Sequence, residues 1–273
     1  MYNAQSSARR QHATNLLYFS FSFREVLPVN FPLLLFVTSL LILFLAVRSG
    51  DWLRSKSGLQ SEDSRAETGP LLSATLTLLY LIIGFSFVMS VTRYDVRKNS
   101  EAAEAIAIGT EYSRADLLTP AAAAKVKGLL KKYLDQRLLF YGQRASVTPA
   151  DTELLQTELW SALRPAIADV PPPLMGVLVT GMNDLVNTQR STQAAWLNRI
   201  PTAAWALMAV ISIGCCSLVG YRSRRRDWLA FAIVPLSASL CFFLIADLDS
   251  PQGGVIRVVP NNLMILAQSL SGQ

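Results

Sequence analysis

The sequence predicts an all-α protein with four transmembrane spans and a helical insert between spans two and three, both of which continue into it. Three observations carry that expectation. Charged residues are only 16% of the 273, against about 25% in a soluble domain, and the mean hydropathy is +0.33. Four apolar runs reach the roughly 17–25 residues that a helix needs to cross hydrocarbon. No strand-like alternation of apolar and polar residues stands out.

The first 30 residues form a polar or interfacial segment, in which "LLYFSFSF" is too short to cross. Span one follows as Phe31–Val47. It is long for the apolar region of a signal peptide and is followed by "RSGDW" rather than a small-residue cleavage site, so it is expected to be retained. Span two is Leu71–Thr92, opened by Gly69-Pro70, and span three is Pro201–Gly220, opened by Ile200-Pro201. Proline is cheapest in a first helical turn, where its missing N–H has no intrahelical partner. Span four is Trp228–Ala246, with Pro235 expected to kink it. Trp205 and Trp228 lie near span ends, as interfacial aromatics do. In domain terms the chain reads as 1–30, spans at 31–92, an insert at 93–199, spans at 200–248, and a C-terminal tail at 249–273.

Four helices are expected in the insert. "TRYDVRKNSEAAEAIAIGTEYSRADLL" (Thr92 to Leu118) prolongs span two. Thr119-Pro120 opens a second helix, with Val126, Leu130, Tyr133, Leu134, Leu138 and Tyr141 at helical spacing. Thr148-Pro149 opens a third, with Asp151 placed as in a capping box, and Pro171–Pro173 ends it. The fourth runs from about Leu174 into span three.

The net charge is +6, but the basic residues flank apolar runs, as topology determinants do, and form no phosphate-binding footprint; no nucleic-acid partner is expected. Short loops carry Arg48, Arg54, Lys56 and Arg65, then Arg222, Arg224, Arg225 and Arg226 in "YRSRRRDW". Lysine and arginine in short loops mark the cytoplasmic face. The insert is therefore expected outside the cytoplasm of a multi-pass protein in a bacterial inner (cell) membrane. Arg93, Arg97, Lys98, Arg190 and Arg199 at the insert's own ends pull the other way.

Enzyme chemistry is not expected. The motifs of nucleophile elbows, phosphate loops, zinc proteases and dinucleotide folds are absent. Cys215, Cys216 and Cys241 lie inside apolar runs without metal or disulfide spacing, and the single histidine, His12, is in the polar N-terminal segment. Neither a metal nor a cofactor is expected.

Candidate sites come from helical periodicity. Ser86, Ser90, Arg93, Arg97, Ser100, Glu104, Glu111 and Arg114 recur at steps of three and four, apart from Ala107, and make one polar stripe on a continuous helix. Around an axis of several copies, Ser86, Ser90, Arg93, Arg97 and Glu104 would line a pore or vestibule with a basic ring at its mouth. The alternative is a solvated face whose serines bond back to their own helix. Leu79, Ile83, Phe87 and Val91 repeat every four residues, as packing residues of a membrane helix do. Ala102, Ala105 and Gly109, with Ile106, allow a close helix approach. Arg199, Asp247 and Asp249 form a candidate ion-pair or ligand cluster at the span ends, too poor in oxygens for calcium. Asn187 and Arg190, one helical turn apart, would bind an anion or cap neighbouring helices.

The order of these residues resembles the bacterial bestrophin-like domain family. Arg93-Tyr94 is followed by "EAAEAIAIGTEYSRAD", with Glu101, Ala105, Ile108-Gly109-Thr110, Tyr112 and Arg114. Tyr133, Asn187, Arg190, Pro201 and Trp205 come next, then "LDSPQGGVIRV" with Asp249, Pro251 and Gly254. The resemblance covers roughly Leu71 to Leu270. It implies a four-span helical membrane protein distantly similar to bestrophins, which are pentameric anion channels. By that analogy the set with Ile83 and Phe87 would form a hydrophobic constriction that gates by dewetting, although the expected topology places the insert on the opposite side from theirs. The function expected is an oligomeric ion channel or channel-like protein, in contact with lipid and inorganic ions, with span two near the axis. A non-conducting membrane scaffold whose insert binds a partner is the alternative.

Overall fold

Eight α-helices and one 3-10 turn make up the described chain, with no strand among the described residues. The computed structural model describes residues 31–57, 62–142, 149–168, 170–222, 228–251 and 254–272. The helices are α1 (Pro32–Ser57), α2 (Glu62–Arg114), α3 (Pro120–Gly142), α4 (Pro149–Ala166), α5 (Pro172–Leu197), α6 (Thr202–Arg222), α7 (Trp228–Asp249) and α8 (Asn261–Ser271). The segment "LLYFSFSF" and the arginines 224–226 lie outside the described residues.

Four stretches are long and apolar enough to cross a membrane: Pro32–Lys56, Gly69–Leu117, Pro172–Arg222 and Phe231–Asp249. Span two passes into the insert without interruption, because α2 is one helix of 53 residues. Its start differs from the expectation. The helix begins at Glu62, so Pro70 sits inside it rather than in its first turn. The path into span three pauses at residues 198–201, where Pro201 follows Ile200 and the backbone leaves the helix before α6. A residue before proline avoids the helical region, which accounts for the pause. Pro235 is accommodated within α7. Three helices of the insert start at prolines, α3 at Pro120, α4 at Pro149 and α5 at Pro172, while Pro165 lies inside α4.

Two compact units share the chain, Met1–Thr92 with Arg199–Arg257, and Arg93–Asn198 with Val258–Gln273. In the first unit α1 packs along α6 and α7. A Cβ on Gly50 would meet the Ser217 carbonyl oxygen at 2.0 Å, and one on Gly220 would meet the Val47 carbonyl oxygen at 1.9 Å. The α1–α6 crossing is thus backbone on backbone, as small residues permit in membranes. It also explains why α1 runs ten residues past the expected end of span one: Gly50 and its neighbours are part of the crossing. Leu43, Val47, Leu79, Ile83, Met208, Cys216, Phe242 and Ile245 fill the core of this unit.

The second unit has its own core, with Ile108, Val126, Leu130, Leu134, Leu159, Leu163, Leu178, Met182 and Leu185. The C-terminal stretch contributes to it through α8, whose Leu263 and Leu270 are buried there. Gly109 of α2 receives the Leu266 side chain, since a Cβ at Gly109 would lie only 3.1 Å from Leu266 Cδ1. The small-residue step at Ala105 and Gly109 therefore packs within the unit.

Candidate functional site

From Leu78 onward helix α2, with the turn that follows it, has two faces. Leu79, Ile83, Ser86, Ser90, Arg97, Glu101, Glu104, Ile108, Glu111 and Ala115 are all buried, at steps of three, four or seven. Leu78, Leu81, Phe85, Val88, Val96 and Ile106 are exposed and lie on the opposite side of the helix. The polar stripe read from the sequence therefore coincides, in the single chain, with the enclosed face. Ser86, Ser90, Arg97 and Glu104 are each no more than 2% exposed.

Each residue of the stripe has a local reason for its place. Ser90 donates to the Phe87 carbonyl at 2.8 Å, which keeps a buried hydroxyl satisfied inside an apolar span. Arg93, half-buried, donates from Nη1 to Oδ1 of Asn198. Glu104 is gripped by Arg137 of α3, whose Nε and Nη2 each donate to a carboxylate oxygen at 2.9 Å. Both side chains are 2% exposed. The Arg137 guanidinium also lies 4.3 Å from the Phe140 ring centroid, and the Phe140, Tyr141 and Trp196 rings meet edge-on at 5.2 to 5.6 Å. Burial pushes the Glu104 carboxyl up, while Arg137 and Thr192 pull it back. Burial works against the Arg137 charge, but the carboxylate outweighs it and holds the guanidinium above its ordinary value. Tyr133, from the same neighbourhood, receives a hydrogen bond from Gln156.

Glu101 closes a different junction. Its Oε1 accepts the Leu263 backbone N–H at 2.9 Å and its Oε2 accepts Nδ2 of Asn262 at 2.7 Å. A carboxylate on the first turn of α8 satisfies amide groups that a helix start leaves unpaired and meets the positive end of its dipole.

Of the candidate constriction, Ile83 is buried in the core of the first unit and Phe87 is exposed. The structure does not bring those two side chains to one surface. Of the charged cluster, Asp247 accepts the Val255 and Ile256 N–H groups at 2.6 and 2.8 Å, and Asp249 accepts the Ile200 N–H at 3.0 Å. Gly254 is required beside Asp247, since a Cβ there would meet its carbonyl oxygen at 2.7 Å. Both aspartates are buried and clamp backbone, and Arg199 is half-buried. Asn187 and Arg190 are exposed on α5. Among the described residues no group of three or more His, Cys, Asp or Glu could hold a metal ion.

The sequence reading missed Arg137, Asn198 and the capping role of Glu101. Arg137 carried a faint signal, as a cation at a helical step along the apolar face of α3. Nothing local linked it to Glu104, which is 33 positions away.

This is a four-span helical membrane protein whose second span runs on as the first helix of an insert. Residues 35–263 match the bestrophin-like domain, and the chain belongs to that family. No curated protein matches it. A mutant form of a bacterial bestrophin homologue from Klebsiella pneumoniae has a similar fold, with TM-score 0.61 at 14% identity over 89% of this chain and 99% of that one. A second crystal structure of a bestrophin homologue from Klebsiella pneumoniae gives TM-score 0.59 at 13% identity, over 88% of this chain and 98% of that one.

Proposed function

We propose that this chain assembles into an oligomeric ion channel or channel-like protein in the inner membrane of a bacterium, with α2 near the axis. The observation that carries the reading is the outer face of α2. Along one line of an unbroken helix it passes from Leu78, Leu81, Phe85 and Val88 to Thr92, and then to a mixed stretch of Val96, Asn99, Ile106, Thr110 and Ser113, all exposed. Copies of such a helix around an axis would give an apolar segment followed by a vestibule of mixed polar and apolar residues, and an apolar constriction of that kind gates by dewetting. Phe87, exposed, and Arg93, half-buried, are the most accessible of the expected lining residues and lie on the two flanks of α2 between its outer and enclosed faces. Ser86, Ser90, Arg97 and Glu104, with Ile83, act one layer behind it and hold the helix in place. The similar fold of the bacterial bestrophin homologues supports the same reading.

Protein reconstituted in liposomes should pass chloride or a small cation, and images of the purified particle should reveal several copies around a continuous pore. Phe87→Ala should raise the flux, and Arg93→Glu should shift the anion-to-cation permeability ratio. Silent liposomes from a monomeric particle would overturn the proposal. The excess of Lys and Arg in the short loops supports an extracytoplasmic insert. A cysteine introduced at exposed Asn187 should then react with a membrane-impermeant thiol reagent added to intact cells.

A scaffold that binds a partner through the insert is the second reading. It is favoured by Ile106, Leu154, Leu197 and Ile265, which are 69%, 64%, 65% and 64% exposed in the second unit. A stable partner recovered by crosslinking at Leu154, with no flux in liposomes, would favour it over the channel.

A further inference from the structure

Glu111 is the one acidic side chain of the insert that is fully buried with both oxygens lacking a hydrogen bond, among the described residues. It stands on the last turn of α2 and faces Gly181 of α5. A Cβ at Gly181 would lie 1.9 Å from its Oε2, so only glycine leaves room for the carboxyl. The nearest cation is Arg114, with Nη1 3.9 Å from Oε2. That same Nη1 donates to the Val177 carbonyl of α5 at 3.3 Å. The charged groups bearing on Glu111 are Arg114 from its own helix and Asp184 from α5.

We propose that Glu111, Arg114 and the Val177–Gly181 turn of α5 form a proton-operated latch that joins the end of α2 to α5. With Glu111 neutral, no charge is buried without a donor and Arg114 is left to the Val177 carbonyl. When Glu111 ionises, its carboxylate needs a donor and Arg114 is the cation within reach. A guanidinium drawn onto the carboxylate leaves Val177, and Asp184 repels the new charge. The α2–α5 contact then loosens. Burial, aided by Asp184 and opposed by Arg114, pushes the Glu111 carboxyl up to about 7. The change would thus fall within the physiological range rather than near pH 4. The latch does not depend on whether the chain conducts.

Hydrogen exchange of the full chain in detergent tests it, read at the amides of 110–116 and 176–184 and corrected for the intrinsic pH dependence. With a midpoint near 7, the ionised fraction rises from about one-tenth at pH 6 to about nine-tenths at pH 8. Protection at these amides should fall along that curve in the wild type and stay flat in Glu111→Gln. Asp184→Asn should move the midpoint to lower pH, because it removes a repelling charge. Arg114→Gln should leave the segment weakly protected at every pH. Equal profiles for the wild type and Glu111→Gln would overturn the latch. So would an unchanged midpoint in Asp184→Asn, a surface substitution that leaves the core intact.

Discussion

Replacing Arg137 by methionine removes the guanidinium while keeping much of the side-chain volume, and so isolates the Glu104 fork. Two hydrogen bonds of 2.9 Å are lost. An exposed ion pair of that kind would contribute only about 0–1 kcal/mol. Here both side chains are 2% exposed, so the substitution leaves a carboxyl enclosed with no cation. Breaking a buried pair from one side costs about 3–5 kcal/mol. At about 2–4 °C per kcal/mol for a chain of this size, the thermal midpoint should drop by about 6–20 °C. The midpoint can be followed in detergent by tryptophan fluorescence, since Trp196 lies 5.2 Å from the Phe140 ring that Arg137 covers. The orphaned carboxyl can escape the penalty only by binding a proton, so the loss should shrink as pH falls. Glu104→Leu combined with Arg137→Met removes both charges and should recover most of the loss. Arg137→Lys, which keeps the charge but not the fork, should fall between. A midpoint within about 2 °C of wild type for Arg137→Met, which is at most about 1 kcal/mol, would refute the reasoning. A double variant weaker than the single one would refute it equally.

Gly220→Val forces a side chain against the Val47 carbonyl oxygen, where even a Cβ would stand at 1.9 Å. Overpacking of this kind costs about 1–3 kcal/mol, and the yield of folded protein in detergent should fall. Gly84→Ala, with nothing within 4 Å, should be neutral in the same assay. Glu101→Ala should release α8. Losing its charged acceptor costs about 1.5–3 kcal/mol, and limited proteolysis should cut within 258–272 while the spans remain intact. Glu111 gives a stability dependence with a defined sign. Its folded-state value near 7 lies above the ordinary 4.5, so the folded chain holds the proton more tightly and stability declines as pH rises from about 4.5 to 7. The thermal midpoint of Glu111→Gln should exceed that of the wild type above pH 7 and meet it near pH 4.

The apolar runs and the proline-marked helix starts made most of the fold legible, because hydrocarbon demands about 20 apolar residues and proline cannot extend a helix backward. Tertiary partners were not legible by the same means. The stripe on α2 has a helical period whichever way it points, and the period contains no sign for inward or outward. Ser86, Ser90, Arg97 and Glu104 turn inward, and what makes that tolerable differs between them. Ser90 is satisfied locally, and Glu104 by a residue of another helix. The α1–α6 crossing was hidden for a different reason. Gly50 lies in "RSGDW", between Arg48 and Asp51, so its surroundings resemble a loop, and only the distant α6 backbone gives it a function.

The sequence by itself determined that this protein is helical, crosses the membrane four times, and carries its second span onward into an insert. These follow from local quantities, the length of apolar runs and the backbone chemistry of single residues. The tertiary structure alone decided which face of α2 is enclosed, that Glu104 meets Arg137, that Glu101 starts α8, and that Glu111 is shut against Gly181. Each joins residues tens to more than a hundred positions apart, and such contacts are selected by the packing of whole helices, which no local pattern encodes.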